Sequence, residues 1–171
     1  MKTKFLLLCA AGMLLCSVCV QAQTTININP IKDNTLYENE TGSLSNGSGD
    51  HFFVGATNQG FKRRGLLKFD IASHVPQGAT ILEATLTLSM DQTTSLSSNI
   101  ALHTVSVDWG EGASAVSEIG GVGGGNGAAA QTNDATWLHN FYNSSLWNTA
   151  SGDFSASVSA TTSVNGIGSY T

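Results

Sequence analysis

Period-two alternation of apolar and polar residues is the feature of this sequence that most restricts its fold. The alternation recurs in six stretches separated by turn-forming residues, with Pro30 expected to end the first: Thr24–Ile28, His51–Ala56, Arg64–Ile71, Thr80–Met90, Ile100–Val107 and Phe154–Thr162. Successive side chains of a strand point to opposite faces, so this pattern is typical of half-buried strands. Strands that follow one another without amphipathic helices indicate antiparallel sheets packed face to face. The sequence therefore predicts an all-β protein, a β-sandwich.

One short helix is the expected exception to this class. Asp134 is placed to cap a helix that begins at Ala135, and Trp137 and Phe141 are four residues apart, like neighbours on a helix face. We expect Trp137 to pack in the core, and Trp109 likewise, because an indole in so small a domain is mostly buried.

The first 22 residues have the organisation of a secretory signal. A start with two lysines precedes an apolar run and a small-residue cleavage site at Val20-Gln21-Ala22. The apolar run is about 16 residues long, shorter than the roughly 20 that a membrane span needs. We therefore expect cleavage after Ala22, a single domain over residues 23–171, and a location outside the cell or at its surface. All three cysteines would leave with the signal, which excludes a disulfide or thiolate metal site.

The charge balance of residues 23–171 is strongly acidic. Five basic side chains stand against 12 acidic ones, a net charge of 5 − 12 = −7, which excludes a basic nucleic-acid face. Four of the five basic residues fall within Lys62–Lys68. This cluster is a candidate anion contact, and its alternative is the charged outer face of a strand. The Gly-rich segment Gly110–Ala130 contains no basic residue and is expected to be a surface loop rather than a phosphate site.

Two cations of this cluster are candidates for one binding face. Arg64, Leu66 and Lys68 share strand parity, and we expect them on the outward, polar face. Arg64 and Lys68 would lie roughly 13 Å apart along the strand, the length of two to three sugar units. Both could then meet carboxylates of one acidic polysaccharide chain.

The neighbouring arginine is expected to have a structural role. Arg63 shares parity with Leu67 and Phe69, so it would begin on the inward face. An inward guanidinium needs a partner, and Asp33 or Glu38 is the expected carboxylate. Its removal should therefore destabilise the fold more than removal of its outward neighbour.

Metal and catalytic chemistry have weaker candidates. Asn46 and Asp50 lie in a Gly/Ser-rich loop and offer oxygen ligands that suit calcium, although an Asx turn explains the same residues. Asp108 and Glu111 could form the carboxylate pair of a polysaccharide hydrolase. The sequence has no nucleophile elbow and no zinc-protease motif, so we expect a protein that is not an enzyme and needs no cofactor, calcium excepted.

Several motifs resemble those of the DNRLRE-domain family of secreted bacterial proteins, over roughly Ile28 to Tyr170. Four of the six signature letters are present in Asp33-Asn34-Thr35-Leu36-Tyr37-Glu38, where Thr35 and Tyr37 replace the two arginines. The further matches are Ser45–Gly47, Arg63–Asp70, Pro76–Ile81, Ala84–Leu88, Trp109–Gly112 and Asp134–Leu138. The resemblance implies a jelly-roll-like sandwich attached to polysaccharide-active proteins, with basic residues that bind acidic polysaccharides.

Three functions are compatible with these observations. The first is a non-catalytic carbohydrate-binding module, with contacts from Arg64, Lys68, Lys62 and Tyr37. The second is a structural or adhesive sandwich of the cell surface or matrix, and the third is a hydrolase or lyase. Nucleic acid and a membrane span are not expected partners, and the oligomeric state stays open. Because the sequence stops at Thr171 within an expected strand, we also expect a C-terminally incomplete domain whose parent carries further strands and an anchoring tail.

Overall fold

Eleven strands and one turn of 3-10 helix, Gly124–Asn126, form the regular structure of residues 23–94, 97–116 and 124–171, the part of the chain that the computed structural model describes. In chain order the strands are β1 (Pro30–Tyr37), β2 (Leu44–Ser45), β3 (Gly55–Ala56), β4 (Lys62–Phe69), β5 (Leu88–Met90), β6 (Ser98–Val105), β7 (Ala128–Ala129), β8 (His139–Phe141), β9 (Ser145–Leu146), β10 (Phe154–Val164) and β11 (Gly168–Tyr170). All of their pairings are antiparallel. The predicted all-β class is therefore confirmed. The predicted signal, residues 1–22, and part of the Gly-rich segment, residues 117–123, lie outside the described ranges.

A three-stranded sheet in the order β1-β4-β3 carries the core. Residues directly opposite each other in an antiparallel pair point to the same face. The register of β1 and β4 therefore assigns one face to Lys32, Asn34, Leu36, Arg64, Leu66 and Lys68. The opposite face carries Asp33, Thr35, Tyr37, Arg63, Gly65 and Leu67.

The hydrophobic core lies on the face that carries Leu36 and Leu66. These two side chains are 1% and 5% exposed, and they cluster with Trp109, Ala135 and Trp147. The predicted orientation of β4, with Leu66 outward, is therefore wrong. Alternation established which residues share a face of this strand, but a leucine on each face could not show which one meets the tryptophans.

The opposite face of the sheet is also covered. Phe52 and Val54 lie against the backbone of Gly65, so closely that a Cβ there would overlap the Phe52 ring. The Thr35 hydroxyl accepts the backbone N–H of Phe53 at 2.9 Å. The β1–β4 pair thus has other parts of the chain packed on both of its faces.

Asn34 connects three segments that are distant in sequence. It is fully buried on the core face. Its side chain donates to the carbonyls of Gly110 and Glu111 and accepts from Thr35 N–H, Ser45 Oγ–H and Asn46 N–H. Because both polar atoms of its amide have partners, its burial does not leave a polar group unsatisfied.

The predicted helix after Asp134 is wrong, because this segment forms the β8–β9 hairpin. The Asp134 carboxylate accepts the N–H of Gln131 at 2.6 Å, behind it in the chain, instead of capping a helix ahead. The Thr136 hydroxyl accepts the N–H of His139 at 3.0 Å, which closes a local turn. Asn143 completes the hairpin turn with a φ of 62°. Short polar side chains that bond the nearby backbone compete with a helix in this way.

Three other predicted strands are shorter or displaced. Residues 23–29 form no strand, and β1 begins at Pro30 instead of ending there. Proline suits the first position of a strand, where its missing N–H does not weaken the ladder. The stretches predicted from His51 and from Thr80 are strands only over β3 and β5. Ile81 and Leu82 remain 61% and 72% exposed, because no described strand pairs with their segment.

The last strands form two-stranded ribbons beside the core. β10 pairs with β6 from Phe154 opposite Val105 to Val164 opposite Ser98, and β11 pairs with β5. The first eight residues of β10 are all exposed. Among the described residues, no helix has the length and apolar character to cross a membrane.

Candidate functional site

Arg64 faces the protein interior at one end of the core. Its Nη1 donates to the carbonyl and the hydroxyl of Ser151, at 2.9 and 2.8 Å. The guanidinium carbon lies 4.7 Å from the ring centroid of Phe154 and 5.4 Å from that of Trp137. Partial burial lowers the pKa of Arg64. Arg64 is therefore a half-buried packing residue and not the open ligand contact that the sequence predicted.

Lys68 is bound at the other end of the same face. Its Nζ lies 2.9 Å from a carboxylate oxygen of Asp108, which Lys32 also contacts at 3.2 Å. Lys32 further donates to the Trp109 carbonyl and lies 4.4 Å from the centroid of its ring. Arg64 and Lys68 do share a face, as predicted, but the buried Leu66 separates them and each has a partner within the chain. The predicted open face of two free cations is therefore wrong.

The pKa of Asp108 is lowered to about 2, mainly by the hydrogen bond from Lys68 and also by Lys32. A lowered carboxylate pKa stabilises the folded state above the unfolded pKa, and this stabilisation is lost as the pH falls through the folded pKa. We expect the contribution to disappear between about pH 4 and pH 2. Because the Asp108 side chain is 62% exposed, solvent screening limits it to less than about 1 kcal/mol.

This prediction can be checked by chemical unfolding of the wild type and of Asp108→Asn at about pH 5 and about pH 2. The variant should lose less stability on acidification than the wild type. Asp33 acts in the opposite direction, because burial and, second, the Glu111 charge raise its pKa. The comparison of the two proteins therefore isolates Asp108, and equal acid sensitivity would contradict the assignment.

Arg63 and Tyr37 pack against each other on the opposite face. The guanidinium carbon lies 4.9 Å from the Tyr37 ring centroid, and Nε donates to the Gly125 carbonyl at 2.9 Å. Burial raises the pKa of Tyr37, which has no exposed surface. Tyr37 therefore has no surface for a sugar, and the exposed Lys62 is left as the outward residue of the predicted carbohydrate contacts.

The carboxylates predicted to pair with Arg63 differ in their positions. Asp33 stands opposite Leu67 in the β1–β4 register, four positions along the sheet from Arg63. The charge of Glu38 does act on Arg63, and its Oε2 accepts the N–H of Lys62 at 2.6 Å. Of the two expected partners, Glu38 is therefore the one whose charge acts on Arg63: burial lowers the pKa of Arg63, and the Glu38 charge raises it.

The two arginines are expected to rank in the reverse of their sequence-based order. Arg64→Ala removes two hydrogen bonds from a charged donor and two ring contacts, which should cost about 1.5–3 kcal/mol. Arg63→Ala removes two exposed hydrogen bonds, to the carbonyls of Gly125 and Lys62, and one ring contact. Because exposed bonds compete with water, this loss should cost only about 1 kcal/mol. Thermal unfolding of both variants measures the order, and a greater loss for Arg63→Ala would contradict these contacts.

The predicted catalytic pair of Asp108 and Glu111 is not arranged as an acid and a base. Two lysines hold Asp108 ionised, and Glu111 Oε1 accepts the backbone N–H of Asp33 at 3.1 Å. The carboxyl with a raised pKa in this neighbourhood is Asp33 instead. Asp33 precedes Asn34 in β1, and the Asn34 amide holds β1 against the segment that carries Glu111.

The calcium candidates also have structural roles or stand apart. Asn46 is 2% exposed, its Nδ2 donates to the His51 carbonyl at 2.8 Å, and its Oδ1 accepts Val116 N–H at 2.8 Å. Its amide is therefore engaged in joining loops, while Asp50 is exposed. Within the described ranges, no group of three or more His, Cys, Asp or Glu side chains is close enough to hold a metal ion.

An open depression of about 370 Å³ beside Phe154 is a candidate site that sequence reasoning missed. Its lining residues are Ser106, Asn148, Thr149, Gly152, Asp153 and Phe154. The Asp153 carboxylate accepts the backbone N–H groups of Asn148 and Thr149, each at 2.9 Å, and also the Asn148 amide. These bonds fix the rim, and Phe154, whose ring also contacts Arg64 and His103, is 39% exposed. The depression thus presents an aromatic ring next to amide, hydroxyl and carboxylate groups, which bond one another and the nearby backbone in the free chain.

Comparison with known proteins identifies no relative of this chain. The sequence matches no model of a known protein family, and neither the curated proteins nor the solved structures yield a match.

Proposed function

We propose that this chain is a secreted, non-catalytic carbohydrate-binding module, a jelly-roll-like member of the DNRLRE family. The observation that carries the proposal is the depression beside Phe154, where this partly exposed phenylalanine adjoins several polar groups. Aromatic rings stack on the C–H faces of sugars, and amide, hydroxyl and carboxylate groups bond sugar hydroxyls. A rim held by Asp153 would need little rearrangement on binding, which favours affinity.

The engaged cations favour a polysaccharide of uncharged sugars over the acidic polymer that the family resemblance implies. Arg64 and Lys68 both donate to groups of this chain, and the net charge of residues 23–171 is −7. A polyanion would be repelled by the acidic surface and would have to displace these contacts. A polymer of uncharged sugars would not be repelled by the acidic surface and would not have to displace the contacts of Arg64 and Lys68.

Affinity electrophoresis in gels that contain β-glucan, xylan, mannan, alginate or polygalacturonate tests the proposed site. Phe154→Ala should weaken binding to the retained polymer by about tenfold or more, because it removes the stacking surface. Phe61→Ala is the matched control, since it removes another exposed phenylalanine, and it should change binding by less than about twofold. Equal effects of the two substitutions, or retention by the acidic polymers alone, would contradict the proposal.

A structural or adhesive sandwich of the cell surface is the second candidate. It is favoured by the internal contacts of four of the five basic residues: Lys32, Arg63, Arg64 and Lys68. In this alternative these four basic side chains stabilise the fold and bind no ligand. A folded chain that no polysaccharide retards would support it.

A further inference from the structure

We propose that the outer edge of β10 pairs with the same edge of a second copy of this chain, antiparallel and about a two-fold axis at Thr161. β6 is the only strand partner of β10 among the described residues, and no described strand is hydrogen-bonded to the other edge of β10. The Thr162 hydroxyl donates to the Thr171 carbonyl at 3.3 Å, a side-chain contact that leaves the backbone groups of this edge without a strand partner. An edge strand presents unpaired N–H and C=O groups, which are a template for another strand.

The composition of this edge offers no protection against such pairing. Natural edge strands are guarded by charged residues, proline, bulges or covering chain. The sequence contains no charged residue and no proline from Phe154 to Thr171. The pairing with β6 is irregular between Phe154 and Ala160 and regular from Ala160 to Val164, so the bulges guard only the first half of the strand.

The sequence around Thr161 is complementary to itself. With the axis at Thr161, the pairs across the interface would be Val158 with Val164, Ser159 with Ser163, and Ala160 with Thr162. Pairs of β-branched residues and pairs of hydroxyl residues stabilise antiparallel strands when they lie directly opposite. An uncharged edge offers no charge complementarity to a different partner, while a second copy supplies matching pairs. A two-fold contact of this kind closes on itself and gives a dimer.

Sedimentation velocity over about 1 to 100 µM protomer tests the pairing. We expect a concentration-dependent dimer whose dissociation constant falls as salt rises, because salt screens the repulsion between two acidic chains. Thr161→Lys would place two like charges opposite each other at the axis and should raise the dissociation constant about tenfold or more.

Thr80→Lys is the matched control, because it adds the same charge at an exposed threonine outside the strands, and it should leave the dissociation constant within about twofold. If Thr161→Lys does not unfold cooperatively, the dissociation constant of Ser159→Lys is measured instead. This substitution places the charge two residues before Thr161 in the same strand. A wild type that stays monomeric, equal effects of the two lysines, or assemblies that grow beyond a dimer would each overturn the proposal.

Discussion

Asn34→Ala is expected to lower the free energy of unfolding by about 3–5 kcal/mol. The substitution removes two donated hydrogen bonds, at 3.3 Å to the Gly110 carbonyl and 2.8 Å to the Glu111 carbonyl. It also removes the acceptor for the Ser45 hydroxyl and the Asn46 N–H, at 2.9 and 3.2 Å. The former partners would lose bonds at a site from which water is excluded, and this loss is why the effect exceeds that of an ordinary surface bond.

Chemical unfolding measures the effect of Asn34→Ala against Asn58→Ala. Asn58 is an exposed asparagine in a turn, so its replacement should change stability by less than about 0.5 kcal/mol. Asn34→Asp distinguishes the donated from the accepted hydrogen bonds. It keeps the acceptor oxygen, but it replaces the donor NH₂ group with a second oxygen that faces the two carbonyls. Similar stabilities for Asn34→Ala and Asn58→Ala would show that Asn34 does not hold these segments together.

Gly47→Ala is the second substitution with a large expected effect, a loss of about 3 kcal/mol or more. A Cβ on Gly47 would overlap the carbonyl oxygen of Glu111, which belongs to the backbone and cannot move as a side chain would. The loop that carries Gly47 and the non-strand segment that carries Glu111 would have to separate, which would strain the Asn34 contacts beside them.

Gly125→Ala provides the matched control for this steric argument. A Cβ on Gly125 meets no atom within 4 Å. The control should leave stability unchanged or raise it by less than about 1 kcal/mol, through reduced freedom of the unfolded chain. Thermal melts of both variants are sufficient, and a Gly47→Ala protein as stable as the control would contradict the close approach.

Alternation predicted the strand at Arg64–Ile71 within two residues of its position, together with its antiparallel context. The orientation of that strand depended on long-range contacts that local pattern does not contain. Leu66 and Leu67 are equivalent in sequence, and only the tryptophans at 109 and 147 distinguish their faces. The role of Arg64 was missed for the same reason, because Ser151 lies 87 residues away.

Local competition explains the error at residues 135–142. The aromatic spacing fits a helix, yet Asp134 and Thr136 bond nearby backbone groups in a hairpin. The sequence pattern could not indicate the depression at Phe154, because Ser106, which follows β6, lies 47 residues before Asp153. The only sequence feature that indicated a loop at this place is the run of turn-forming residues directly before Phe154.

A polysaccharide array probed with the purified chain at low and high salt tests the functional proposal most directly. We predict retention by at least one polymer of uncharged sugars, with a half-saturating concentration that changes little between about 0.1 and 0.5 M salt, because the cations of the chain are engaged within it. A cooperatively folded chain that binds no polymer, or binds only uronate polymers and releases them as salt rises, would contradict the account.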